Sequence, residues 1–116
     1  MARSEELPIY RDTVDMLDRL LQLTDKVPRT YRFGVWQRML DLAIDMLSLI
    51  YAANSRRDKV PVITELIDRL GLLKVLLRLS LRRHVVNDRQ YASIIIYTER
   101  IGRQATGWRQ HYEKQQ

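Results

Sequence analysis

The sequence contains no cysteine and is poor in proline and glycine, with three and four of them among 116 residues. The lack of cysteine excludes a disulfide framework, a thiolate zinc site and a cysteine nucleophile. The small number of turn-forming residues and the hydrophobic fraction of 46% distinguish the sequence from disordered chains and from loop-rich β-sandwiches. We therefore expect one all-α domain over residues 1–116, built around a single hydrophobic core.

Long apolar runs are also missing. The longest uncharged run, Met46 to Ser55, is far too short to span a bilayer. The first six residues lead into no apolar stretch of the signal-peptide type. These features predict a soluble, cytoplasmic protein without a membrane partner.

Apolar residues recur at spacings of three and four in four segments. This periodicity predicts an antiparallel four-helix bundle with helices at about 8–25, 33–54, 61–84 and 88–112. In the first helix the predicted apolar stripe comprises Tyr10, Val14, Leu17, Leu21 and Thr24. The fourth helix is expected to begin at a cap formed by Asn87 and Asp88.

The third predicted helix has more apolar residues than one buried face needs. Leu66, Leu70, Leu73 and Leu77 form one stripe, and a second set lies outside it: Leu72, Val75, Leu76, Leu79 and Leu81. A helix of this kind is too apolar for the surface of a monomer, which predicts a homo-oligomer. The alternative is that it forms the central helix of an isolated bundle.

The net charge of +6 is unevenly distributed. Residues 1–58 carry nine Lys/Arg and nine Asp/Glu, whereas residues 59–116 carry eleven and five. A positive face of this kind attracts polyanions. The candidate nucleic-acid-binding residues are therefore the basic ones of the third and fourth helices: Lys74, Arg78, Arg82, Arg83, Arg100, Arg103 and Arg109. The alternative is that these residues only provide solubilising surface charge.

Arginines and aromatics alternate between the first two helices, in residues 29–33. Such a composition suits stacking on unpaired bases. It equally suits a loop in which Tyr31 or Phe33 is tucked into the core to pin two helices together. We favour the structural role for these aromatics.

Residues typical of catalysis or metal binding are sparse. Neither His84 nor His111 follows a Glu at the spacing that di-iron bundles use. Gly102 and Gly107 match the spacing of a phosphate-binding loop, but Trp108 and Arg109 follow where Lys and Ser or Thr are needed. We interpret these glycines as sites of close helix approach or as the end of the last helix. We predict no catalytic residues, no metal, no cofactor and no enzymatic activity.

Two stretches of the sequence resemble a known family. Val-Pro-Arg-Thr-Tyr-Arg-Phe-Gly-Val-Trp-Gln-Arg at 27–38 is similar to the junction of the first two helices in the accessory variability determinant proteins of diversity-generating retroelements. Tyr-Thr-Glu-Arg-Ile-Gly at 97–102, followed by Gly107-Trp108, resembles the end of their fourth helix. The related four-helix proteins of ribosomal RNA intervening sequences usually carry an Asn-Ile-Ala-Glu-Gly-like stretch where this chain has Tyr51–Asn54.

The resemblance implies a four-helix protomer that assembles into a basic, barrel-like pentamer. It also implies binding to the element's reverse transcriptase, to template RNA and to complementary DNA, in support of mutagenic retrohoming. The alternative is a structural four-helix protein of the intervening-sequence type, whose role is assembly or is unknown.

Overall fold

The computed structural model describes residues 2–115 and contains four long helices. These are α1 (Pro8–Leu23), α2 (Gln37–Ser55), α3 (Val60–Arg82) and α4 (Asp88–Glu113). Helix α2 packs against α1 and α3, and α4 packs against α3 and α1, so α1 and α3 lie diagonally opposite each other. No strand occurs in residues 2–115. The prediction of an all-helical, four-helix fold is confirmed.

Local sequence explains where the helices begin and end. Pro8 and Pro61 lie in the first turns of α1 and α3, where a missing N–H costs no hydrogen bond. Asn87 caps α4 as predicted, since its Oδ1 accepts from Gln90 N–H at 2.8 Å. The Gln90 Oε1 in turn accepts from Asn87 N–H at 2.9 Å, which completes a capping box.

The core stripe of α3 lies where its leucines predict. Leu66, Leu70, Leu73 and Leu77 are all buried. In α1 the predicted stripe is wrong, because Val14 and Leu21 are exposed and the buried set is Ile9, Thr13, Met16, Leu20 and Leu23. The two sets differ by one residue, or about 100° around the helix. Both have helical spacing, and packing against α2 and α4 selects the second.

The α1–α2 connection contains a correction to the predicted second helix. That helix was expected from residue 33, but the chain kinks at Gly34, whose φ and ψ are both −105°, and α2 begins at Gln37. Before it come the 3₁₀ turn Thr24–Lys26 and a single helical turn, Arg29–Tyr31. Trp36 is buried and its indole Nε1 donates to Thr24 Oγ1 at 3.1 Å. This hydrogen bond closes the connection against the end of α1.

Neither glycine of α4 ends the helix, which continues through Gly102 and Gly107 to Glu113. A Cβ at Gly102 would meet Leu70 Cδ2 at 3.6 Å, an ordinary van der Waals distance. The interpretation of these glycines as sites of close helix approach or as a helix end is therefore wrong. Because both glycines lack a side chain, the groove that they line between α3 and α4 stays open.

Candidate nucleic-acid interface

The seven predicted binding residues fall into two groups according to their ionic partners. Three have a carboxylate within 4 Å: Lys74 Nζ with Glu99 Oε1 at 4.0 Å, Arg100 Nη1 with Asp12 Oδ1 at 3.7 Å, and Arg109 Nε with Glu113 Oε1 at 3.3 Å. Within residues 2–115, no ion pair is formed by Arg78, Arg82, Arg83 or Arg103. The second group therefore keeps its full charge for a ligand.

Lys74 and Arg103 come together in the groove between α3 and α4. This groove has a volume of about 480 Å³ and is also lined by Gly71, Gly102 and Gly107. Glu99 lies in the same groove, where it faces Lys74. The groove thus combines two cations with one carboxylate, and its positive charge is small.

Arg100 lies beside the neighbouring helix α1. Its guanidinium lies beside Asp12 on α1, and the same carboxylate accepts from Gln104 Nε2 at 2.7 Å. The Asp12 side chain is only 18% exposed, so these contacts hold α4 against α1. Arg100 thus contributes to the contact between α4 and α1, while its side chain remains 52% exposed.

Arg83 lies at the end of the bundle where two connections meet. Its Nη2 approaches the hydroxyl of Tyr31 in the α1–α2 connection at 3.4 Å. Tyr31, Val35, Leu79, Ser80, Arg83 and Val85 together line a cleft of about 190 Å³. The cleft shows that the α1–α2 and α3–α4 connections are neighbours in space.

Most of the surplus positive charge is concentrated at this meeting point. Residues 24–36 and 82–89, which we call the basic end, hold six Lys/Arg and two Asp, a surplus of four out of the net +6 of the chain. The six cations are Lys26, Arg29, Arg32, Arg82, Arg83 and Arg89. None of them forms an ion pair within the described part of the chain. Sequence reasoning singled out Arg82, Arg83 and residues 29–33 separately, but it did not bring them together because the two segments are about fifty residues apart.

The aromatics of the basic end have different environments. Tyr31 packs partly against the hydrophobic core, as predicted. Phe33 is 78% exposed, so of the two candidate staples only Tyr31 takes the predicted position. The chain kinks at Gly34, Trp36 occupies the core after the kink, and Phe33 before it is left outside.

The structure offers little for metal or acid–base chemistry. Within residues 2–115, no group of three or more His, Asp and Glu side chains is arranged to hold a metal ion. Both histidines are exposed. His84 lies in the turn after α3, and His111 lies near the C-terminal end of α4 beside Tyr112. In the same described range, no helix is both long and apolar enough to cross a bilayer.

Comparison with known proteins agrees with the resemblance of the two sequence stretches. The bAvd-like family model matches residues 8–112, from the first residue of α1 almost to the end of α4. The chain belongs to the bAvd-like family. This Avd-like protein is thus an accessory protein of the type found with diversity-generating retroelements. No curated protein matches the Avd-like chain.

Proposed function

We propose that the protein is a non-enzymatic accessory subunit of a diversity-generating retroelement. In this role it binds the reverse transcriptase and nucleic acid, both template RNA and complementary DNA, and supports mutagenic retrohoming. The family match over residues 8–112 carries the accessory role. The observation that carries nucleic-acid binding is the set of arginines without a carboxylate partner, which can neutralise phosphates without first breaking an ion pair.

Assembly into a pentamer is part of this proposal, and exposed apolar side chains support it. Val14 and Leu21 are exposed on α1, and Leu72, Val75 and Leu79 are exposed on α3. These helices are diagonally opposite, so these five residues occupy two different faces; Ile44 on α2 and Ile96 on α4 are exposed as well. A head-to-tail ring uses two different faces of each subunit, whereas a two-fold dimer uses one face twice.

Light scattering after size exclusion tests the assembly. We expect a mass about five times the subunit mass of 13.9 kDa. The Val75→Glu variant should lower this mass because it places a charge in the proposed interface on α3. Ile96→Glu is the matched control, since Ile96 is exposed to a similar degree on α4. A parent protein that remains monomeric at micromolar concentration would remove the ring from the proposal.

A salt series tests nucleic-acid binding. Affinity for single-stranded RNA and DNA is compared between the parent and a variant with Arg78, Arg82 and Arg103 changed to Gln. Each lost phosphate contact should make the slope of log affinity against log salt shallower by about 0.7. The expected result is a slope shallower by about 2 and an affinity at least tenfold weaker at low salt.

The control for this series removes three exposed charges at the other end of the bundle, by changing Arg11, Arg56 and Arg57 to Gln. Both variants lose equal charge, so a general charge effect predicts equal weakening. A specific surface predicts little change in the control. Equal behaviour of the two variants, with helical content and oligomer mass preserved, would contradict the proposed binding surface.

A further inference from the structure

The basic end combines a surplus of four positive charges with the most exposed aromatic of residues 2–115. Phe33 is 78% exposed, the highest value among the exposed large hydrophobic residues. Leaving a phenyl ring in water forgoes the free energy of burying it, about 1.5–3 kcal/mol. A residue of this kind within a cationic surface is typical of a site that binds an aromatic, anionic ligand.

The phosphates of such a ligand would meet cations of the same end of the bundle. Arg32 directly precedes Phe33 and Arg29 lies four residues before it, while Arg83 contacts Tyr31 through its Nη2. The guanidinium of Arg32 is partly held by the molecule itself, because its Nη2 donates to Val27 O at 3.2 Å. Arg29 is exposed and makes no side-chain hydrogen bond within residues 2–115.

The basic end also contains an apolar cleft next to the segment that carries Phe33. Phe33 itself does not line this 190 Å³ cleft, whose walls include Tyr31, Val35 and Val85. A phosphate gains nothing from an apolar wall, whereas the face of a base does. Two copies docked basic end to basic end are disfavoured, because their surplus charges would meet. A contact with a different face of a second copy is tested by the oligomer mass of the Phe33 variant.

We propose that the basic end is a binding site for unpaired nucleotides, in which Phe33 stacks on a base and the surrounding arginines contact the adjacent phosphates. The inference deepens the proposed function and rests on its nucleic-acid-binding part. It assigns a binding role to Phe33, which is uncharged and lies outside the basic residues of α3 and α4. It also selects single strands over duplexes, because only an unpaired base exposes a face for stacking.

The test separates stacking from charge. Affinity is measured for an oligouridylate of about 12 nucleotides, within the usual site sizes, and for a strand of equal length that carries abasic sites. The parent should prefer the strand with bases. Phe33→Leu should weaken binding to that strand about tenfold, while binding to the abasic strand changes by less than about twofold. Its salt slope should equal that of the parent, since no charge is lost.

Two further variants control for shape and position. Phe33→Tyr keeps the ring and should bind within about twofold of the parent. Tyr51→Leu removes another exposed aromatic, at the far end of α2, and should leave both affinities unchanged.

The outcomes distinguish this inference from the proposed function. If the parent binds neither strand at low salt, nucleic-acid binding itself is wrong. If the parent binds both strands equally and Phe33→Leu behaves like the parent, only the stacking site is wrong. If Phe33→Leu lowers the oligomer mass, Phe33 belongs to a subunit interface and the site is overturned.

Discussion

The two ends of the bundle use their charged residues in different ways. The opposite end comprises residues 2–7, 54–61 and 110–115, with five Lys/Arg and four Asp/Glu, a surplus of one. There Arg3 Nη2 lies 2.7 Å from Glu5 Oε1, and this hydrogen bond lowers the pKa of Glu5 below its usual value. The basic end has four more positive than negative charges and no internal ion pair within residues 2–115.

Lys59 shows most clearly what cations do at the opposite end. Its Nζ donates to Ala53 O at 2.7 Å, Arg56 O at 2.8 Å and Asn54 O at 3.1 Å. These carbonyls lie at the end of α2, where backbone acceptors have no partner within the helix. The cation therefore serves the fold at the opposite end. At the basic end only Arg32 donates to a backbone carbonyl, and the other five cations make no such bond within residues 2–115.

Among the variants that test this contrast between the two ends, Lys59→Met is expected to have the largest effect on the free energy of unfolding. Removing the ammonium leaves three carbonyls without their donor, which should lower the free energy of unfolding by about 1–3 kcal/mol. Affinity for nucleic acid should be unchanged. Urea denaturation and the RNA-binding assay measure the two quantities.

Lys26→Met is the matched control at the basic end, because Lys26 is exposed and makes no side-chain contact of this kind. It should change the free energy of unfolding by less than about 0.5 kcal/mol and weaken RNA binding. If Lys26→Met were the more destabilising of the two, the contrast between the ends would be wrong.

A smaller effect is expected from the turn after α3. His84 has a φ of 59°, in the left-handed region that residues with a Cβ avoid. The backbone there closes α3, since Val85 N–H donates to Ser80 O at 2.8 Å. Glycine adopts this conformation without the Cβ penalty, so His84→Gly should raise the free energy of unfolding by about 0.5–1 kcal/mol. Thermal unfolding measures the gain.

His84→Ala separates backbone strain from the loss of the imidazole, because alanine keeps the Cβ. It should leave the unfolding temperature close to that of the parent. His84 lies within the basic end. Because His84→Gly leaves the Lys/Arg charge unchanged, the RNA affinity of this variant can be compared directly with that of the parent. A glycine variant less stable than the alanine variant would contradict the strain argument.

Sequence periodicity predicted the four helices, the buried leucine stripe of α3 and the cap at Asn87, because each depends on residues within a few turns of one another. It failed for α1, where two apolar stripes of equal spacing compete and only the neighbouring helices decide between them. It also failed at residues 32–36, because the chain kinks at Gly34 and the helical periodicity before the kink does not continue into α2.

The candidate site was predictable only in part. The spacing of Lys74, Arg78 and Arg82 along one helix is visible in the sequence. The contact between Arg100 and Asp12 is not visible in the sequence, because 88 positions separate the two residues. It depends on how α4 packs on α1. The same holds for the basic end, whose two segments become neighbours only through the tertiary fold.

Helix α4 runs as one uninterrupted element from the basic end to the opposite end. Its 26 residues span about 39 Å at 1.5 Å per residue, in a molecule whose longest dimension is 46 Å. Electrostatic interactions between exposed charges decay over a Debye length of about 8 Å at physiological ionic strength. The two ends are therefore several screening lengths apart, and a macromolecule bound at one end does not sense the charges at the other.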